Sequence, residues 1–217
     1  KSESPEEKKK ILNRMKKKAP FKFDFKAVTI TYGMGEQIEF LSNHCKEHGI
    51  EHEIIDTQIF DLAGEKIRKN SSFCSFFSRM RRGYLYTTAL EQGYNKIALG
   101  HHLDDAMESY FMNLFYNGTM RTMPPIYKAN NGLEVIRPLI FCRERQLRAF
   151  VDSNEIRVIG DEACPGLRFD VKMPHARATT KELLAKLEEQ NPKIFVSMKA
   201  AFSNIQLPTF FYNNLKD

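Results

Sequence analysis

Ala98-Leu99-Gly100-His101-His102-Leu103-Asp104-Asp105 joins the end of an apolar segment to a glycine, two histidines and two adjacent carboxylates. The segment Lys96-Ile97-Ala98-Leu99 leading into it reads as a short buried strand that stops at a glycine. Beyond it Met107, Tyr110, Phe111, Leu114 and Phe115 recur at helical spacing. A parallel α/β sheet binds its ligand at such a strand-to-helix junction, outside the carboxyl ends of the strands. Either aspartate alone is explained by helix capping and by the positive end of the helix dipole. Two histidines and two carboxylates behind one glycine are more than a cap requires. Paired aspartates suit magnesium, a hard cation that shares oxygen ligands with phosphate. The histidines can donate to phosphate oxygens or polarise a substrate group.

Outward from this junction the same alternation recurs. Residues 26–30 read as a strand ending near Gly33-Met34-Gly35, and Ile38, Leu41 and Cys45 mark a helix closed by Gly49. Glu53-Ile54-Ile55 is a further short strand, and residues 78–92 form a helix closed by Gly93. Strand and helix in alternation predict a parallel, doubly wound α/β sheet. Gly118, Pro124, Pro125 and Asn130-Asn131 make residues 117–131 a loop or irregular hairpin. Residues 134–139 are extended, with Pro138 arguing against a central ladder position. Residues 143–154 read as helix, 160–174 as irregular, and 180–204 as two helices broken at Asn191-Pro192. With no repeat and no clear linker, one domain over residues 1–217 is expected, with a helical tail over about 175–217.

Composition narrows the class. A chain of 217 residues, 42% hydrophobic and 28% charged, belongs with soluble globular proteins. It has no apolar run of about 18 residues, so no membrane partner is expected. A charged N-terminal stretch is no signal peptide. The net charge of +6 suits a phosphate-bearing partner. Residues 5–18 are lysine-rich and read as an exposed helix, most simply a solvated face. Cys45, Cys74, Cys142 and Cys164 do not make a secreted disulfide framework, so thiols in a cytoplasmic setting are the better reading. Cys142 reads as a buried small hydrophobe, and Cys74 alone is equally compatible with that role. The aromatic group Tyr110, Phe111, Phe115 and Tyr116 is read as core rather than a base-stacking platform.

Several segments together resemble the tRNA 2-thiocytidine synthetase family of the PP-loop ATP pyrophosphatases. They are Phe73-Cys74-Ser75, Ser78-Arg79-Met80-Arg81-Arg82-Gly83, the run from Ala98 to Asp105, Phe111 to Tyr116, Met123-Pro124-Pro125 and Ile136-Arg137-Pro138-Leu139. Weaker similarity runs from about Ile11 to Phe202. The resemblance implies an α/β fold of the PP-loop adenine-nucleotide alpha-hydrolase type and ATP-dependent 2-thiolation of an anticodon-loop cytidine. The base carbonyl is adenylated, pyrophosphate leaves, and sulfur replaces oxygen. It further implies ATP, magnesium and a 4Fe-4S cluster held by three cysteines, with tRNA and a sulfur donor as partners and a homodimer as one open assembly. Carried onto this chain, Gly100, His101, His102, Asp104 and Asp105 bind the nucleotide, and Asp104 and Asp105 hold magnesium. Cys74 and Cys164 are the catalytic, cluster-binding thiols. Arg79, Arg81 and Arg82, of which Arg79 and Arg82 share a helix face, bind RNA phosphates through bidentate guanidinium contacts. Arg137 is explained as readily by a structural ion pair.

Two departures accompany the resemblance. The family's glycine-rich SGGxDS loop, a nest of backbone N–H groups for pyrophosphate, has no counterpart in Lys1-Ser2-Glu3-Ser4-Pro5-Glu6-Glu7. A chain opening on lysine rather than methionine favours a loop upstream of Lys1 over a lost one. The family's Cys-x-x-Cys reads Cys74-Ser75-Phe76-Phe77 here. Phenylalanine cannot ligate iron, so two of three thiolates remain unless Cys142 substitutes, and Phe77→Cys is expected to favour cluster assembly. Two alternatives therefore stand beside the thiolation enzyme. One is a catalytically degenerate RNA-binding or scaffold protein of the same fold, and the other is a PP-loop ligase or amidotransferase without a cluster.

Overall fold

Ala27-Val28-Thr29-Ile30 forms the first strand, β1, and His52–Ile55 the second, β2, paired in parallel with Ala27 opposite His52 and Ile30 opposite Ile55. Parallel neighbours need a crossover, which helix α1 (Glu39–Glu47) supplies. The computed structural model describes residues 18–66, 73–159, 165 and 175–210, with only the backbone described at 64–66, 73, 74 and 175. The lysine-rich opening before Lys18, residues 160–164 and 166–174, and therefore Cys164, lie outside the described residues.

Packing groups the chain into two compact units. The first gathers the described parts of Lys1–Gly93 and Arg157–Met173. After β2 come helices α2 (Ile59–Lys66) and α3 (Phe73–Glu91). Their apolar faces close on β1 and β2 in a core of Ile30, Ile59, Ala63, Phe76 and Phe77, flanked by Tyr32, Phe60, Met80 and Tyr84. The strand ends are tied by a polar lock. Thr57 donates its hydroxyl to the Thr31 carbonyl at 2.6 Å and its N–H to Thr31 Oγ1 at 3.1 Å.

Gly33 in this lock has φ +81°, and a Cβ there would lie 2.5 Å from the Thr57 carbonyl oxygen. Gly33→Ala is therefore expected to cost about 2 kcal/mol or more, from both the left-handed backbone and the clash. Gly35→Ala has a comparable φ of +68° but nothing within 4 Å, and should cost only about 1 kcal/mol. Urea unfolding of the two variants checks the difference.

The second unit comprises Tyr94–Ile156 and the described part of Pro174–Asp217. Strand β3 (Lys96–Ala98) pairs in parallel with β5 (Glu134–Ile136), and β4 (Ile126–Lys128) pairs antiparallel with β5. The irregular hairpin read over residues 117–131 thus contains a short strand, turned by Gly132 bonding back to Ala129. Helix α4 (Leu103–Asn117) follows β3, and α5 (Glu144–Ser153), α6 (His175–Gln190) and α7 (Ile194–Ala201) complete the unit. Leu103 and Met107 of α4 are buried with Leu184 of α6 and Phe195 of α7. The C-terminal helices are thus part of this unit's core rather than an appended tail.

The α/β class with parallel pairing holds, although the described strands form two sheets and β4 runs against β5. The aromatic reading needs a correction. Tyr110 packs edge-on against Phe202 and Phe111 joins the core, but Phe115 and Tyr116 are exposed. Cys142 is half-buried rather than enclosed. Among the described residues no helix is long and apolar enough to cross a membrane.

Candidate nucleotide site

The junction singled out in the sequence is built as that reading requires. Leu99 N–H donates to the Ile136 carbonyl at 2.9 Å, extending the pairing beside β3, and the chain leaves the sheet at Gly100. His102 is the N-cap of α4, with extended backbone. Its Nδ1 accepts from the Asp105 N–H at 3.3 Å, and Asp105 Oδ2 accepts the His102 N–H at 3.0 Å. This reciprocal pair is a capping box made with an imidazole in place of a hydroxyl. A ring whose Nδ1 accepts carries its hydrogen on Nε2, which stands 3.4 Å from Asp105 Oδ2. His101 is half-buried beside it.

The two aspartates have different surroundings. Asp104 is held by Arg143, the N-cap residue of α5, whose Nε lies 3.2 Å from both carboxylate oxygens and whose Nη2 lies 3.1 Å from Oδ1. The Glu144 N–H adds a 2.7 Å bond to Oδ2. The same guanidinium reaches Glu188 of α6 through Nη1 at 2.7 Å and Nη2 at 2.8 Å, and it lies 3.4 Å over the Phe195 ring. Asp104 therefore ties the start of α4 to α5 and α6, whereas the sequence reading offered it as an open magnesium ligand. Asp105 Oδ1 instead faces Arg177 Nη2 at 2.6 Å, and Arg177 Nε reaches the buried Glu108 at 2.8 Å.

Asp105 also opens onto a cavity of about 190 Å³ lined by Ser109, Met112, Asn113 and Asn117 of α4, Met123, and Arg177 of α6. The segment carrying Met123 is pinned to α4. Thr122 donates to the Ala106 carbonyl at 2.5 Å, and Asn113 donates to the Arg121 carbonyl at 3.1 Å. Arg137 donates to the Pro124 carbonyl at 2.7 Å and lies over Tyr127. Among the described residues it makes no ion pair, so its role is to hold this wall by hydrogen bonding and stacking.

The Arg143 guanidinium holds the Glu188 carboxyl below its ordinary value of 4.5 and is itself raised by Glu188 first and Asp104 after it. A depressed carboxylate contributes stability above its unfolded pKa and loses it as pH falls through the folded one. Glu188→Gln should therefore lower the urea midpoint at pH 7, and the gap from the unaltered chain should close as pH falls below about 4. The arginine, being raised, stays charged throughout. A gap that persists at pH 3 would remove Glu188 from the pair.

Arg79, Arg81 and Arg82 are all exposed on α3, while Phe76, Phe77, Met80 and Tyr84 of the same helix pack inward. No ion pair among the described residues engages them. The Phe77 ring is 3% exposed and meets Tyr32 edge-on at 5.3 Å, Phe76 at 5.6 Å and Phe60 at 6.2 Å. Of the two thiols expected at the site, Cys74 is described only as backbone in the first turn of α3, and Cys164 lies outside the described residues. Arg143, Glu188, Arg177 and Glu108 were not among the sequence candidates. Their partners are 39 to 72 positions away, too far along the chain for a local pattern to reveal them.

The PP-loop domain family matches residues 9–172. The chain belongs to the PP-loop family. A tRNA-cytidine(32) 2-sulfurtransferase from Geobacter metallireducens is 40% identical over 199 residues, covering 90% of this chain and 76% of the relative. A tRNA-cytidine(32) 2-sulfurtransferase from Pseudomonas syringae pv. syringae is 36% identical over 211 residues, covering 95% and 74%. This PP-loop chain also superposes on the U34-tRNA thiolase NcsA from Methanococcus maripaludis, a structure with its 4Fe-4S cluster, with a TM-score of 0.71 over 94% of this chain and 69% of that one. At 21% identity that likeness speaks for the fold alone.

Proposed function

We propose that this PP-loop chain uses ATP to replace the 2-oxygen of a tRNA anticodon-loop cytidine with sulfur, through an adenylated base. The carrying observation is the junction from Gly100 to Asp105 at the carboxyl end of β3, in a chain 40% identical over 199 residues to a tRNA-cytidine(32) 2-sulfurtransferase. Gly100, His101 and His102 form the approach to the nucleotide; a Cβ at Gly100 would meet nothing within 4 Å, so the backbone is open to a phosphate. Asp105 is the carboxylate on the cavity, and its Oδ1, paired here with the exposed Arg177 at 2.6 Å, is the oxygen that would exchange that guanidinium for magnesium, which would neutralise phosphate charge there. Asp104 acts through Arg143, as the residue that positions the start of α4. Arg79, Arg81 and Arg82 offer RNA phosphates a cationic face whose hold weakens as salt rises. A tRNA substrate puts the reaction in the cytoplasm.

The three-thiolate iron–sulfur cluster does not fit this chain. A carbon side chain stands at position 77, and its ring is enclosed by Tyr32, Phe60 and Phe76. No step is assigned to such a cluster, and sulfur arrives from a donor by a route that does not use residue 77.

Asp105→Asn tests the nucleotide site. Asparagine keeps a side-chain oxygen to accept the His102 N–H from the N3 position, so the capping box at the start of α4 is kept. Mg-ATP affinity should fall about tenfold, a loss of roughly 1.4 kcal/mol, and ATP–pyrophosphate exchange should fall with it. Unchanged binding and exchange would remove Asp105 from the site.

A further inference from the structure

The last turn of α1 carries an unassigned cluster of ligating side chains. His44, Glu47 and His48 each present one ligand atom, and these atoms lie within 4.8 Å of one another. The spacing i, i+3, i+4 puts all three on one helix face. The two imidazole rings lie side by side, 4.2 Å between centroids and 31° between planes. We propose that His44, His48 and Glu47 form a binding site for a divalent first-row transition ion of the zinc class.

Four features support it. His48 Nδ1 is bonded to the His44 carbonyl at 2.8 Å, which orients the ring and leaves Nε2 for the ion. A backbone partner on the second ring nitrogen is the usual support of a metal-binding histidine. The His44 ring is half-buried and lies against the His48 ring, so it is held in place beside the site rather than swinging free in solvent. The cluster sits at the carboxyl end of α1, where the helix dipole favours a cation. Two imidazoles and one carboxylate are a zinc-type set, with water completing the tetrahedron.

Bond lengths of 2.0–2.2 Å put tetrahedral ligand atoms about 3.4 Å apart, so the ion draws the three side chains together by rotamer adjustment. Glu47 is exposed and free to swing, and Lys46, two positions from His44 and exposed, points away from the face. Cys45 is no part of the set, because the ligand atoms that lie within 4.8 Å of one another are those of His44, Glu47 and His48.

Cobalt(II) is the probe, titrated anaerobically into the full chain and displaced by zinc. The unaltered protein should bind about one equivalent more than the His44→Ala/His48→Ala variant. The difference spectrum should carry ligand-field bands without a thiolate-to-cobalt charge-transfer band, which separates this site from any cysteine site. Glu47→Gln, an exposed change that leaves the helix intact, should weaken the same equivalent by about tenfold. Cys45→Ser should leave it unchanged. Equal stoichiometry in the double-histidine variant, or a thiolate band in the difference spectrum, would overturn the proposal.

Discussion

Arg143→Met is expected to destabilise the protein by about 3 kcal/mol at pH 7. Arg143 satisfies two carboxylates from different helices, Asp104 at 3.1 Å and Glu188 at 2.7 Å, and its side chain is 13% exposed. Removing the cation leaves Asp104, 13% exposed, without its guanidinium and Glu188, 22% exposed, with only the solvent-exposed Arg145 at 3.5 Å. Breaking a buried pair from one side costs about 3–5 kcal/mol, and the residual exposure here argues for the lower end. The contact over the Phe195 ring is lost as well. Arg143→Lys should recover little, since an ammonium cannot make the two forked contacts. Adding Glu188→Gln to Arg143→Met should cost less than the sum of the single changes, because the orphaned charge is gone. Urea unfolding of the four chains measures this, and strict additivity would contradict the clamp.

Phe77→Cys should cost a similar amount, about 3 kcal/mol. The ring fills the space between Tyr32, Phe60 and Phe76 in the first unit's core. Phenylalanine-to-small substitutions in cores cost about 3–5 kcal/mol, and the edge-on contacts to Tyr32 and Phe76 add a geometric part. The sequence suggested that a cysteine here would favour a cluster; the packing adds a cost to that exchange, because the new thiol replaces a core ring. Phe77→Leu, which keeps most of the volume, should lose about half as much. A thermal shift in Phe77→Cys no larger than that of an exposed substitution on α3, such as Ser78→Ala, would contradict the packing argument.

The sequence was legible where pattern is local. Strands β1 and β2 and helix α1 declared themselves by apolar spacing, and Gly49 and Gly93, both at positive φ, closed their helices. Helix α2 was missed because its eight residues carry Asp61 and Gly64 inside a short apolar run. Strand β4 has three residues behind two prolines, too few for an alternation to show. Helices α3 and α6 begin about five residues earlier than their apolar periodicity suggested.

The candidate site divides the same way. Gly100 to Asp105 is contiguous, so its chemistry stood in one line of sequence. The different surroundings of Asp104 and Asp105 were not legible, because they are set by Arg143 and Arg177, 39 and 72 positions away. Phe77 was read as a missing ligand. Its neighbours, drawn from β1's end, α2 and α3, identify it as a core residue.

Thiolation of a tRNA cytidine by this PP-loop chain is proposed to run through Asp105. The direct measurement is nucleoside mass spectrometry of tRNA from cells that lack 2-thiocytidine and express either the full-length protein or its Asp105→Asn variant. The unaltered protein should restore 2-thiocytidine, and Asp105→Asn at equal protein level should lose most of it. No 2-thiocytidine from the unaltered protein, or equal amounts from both, would contradict it.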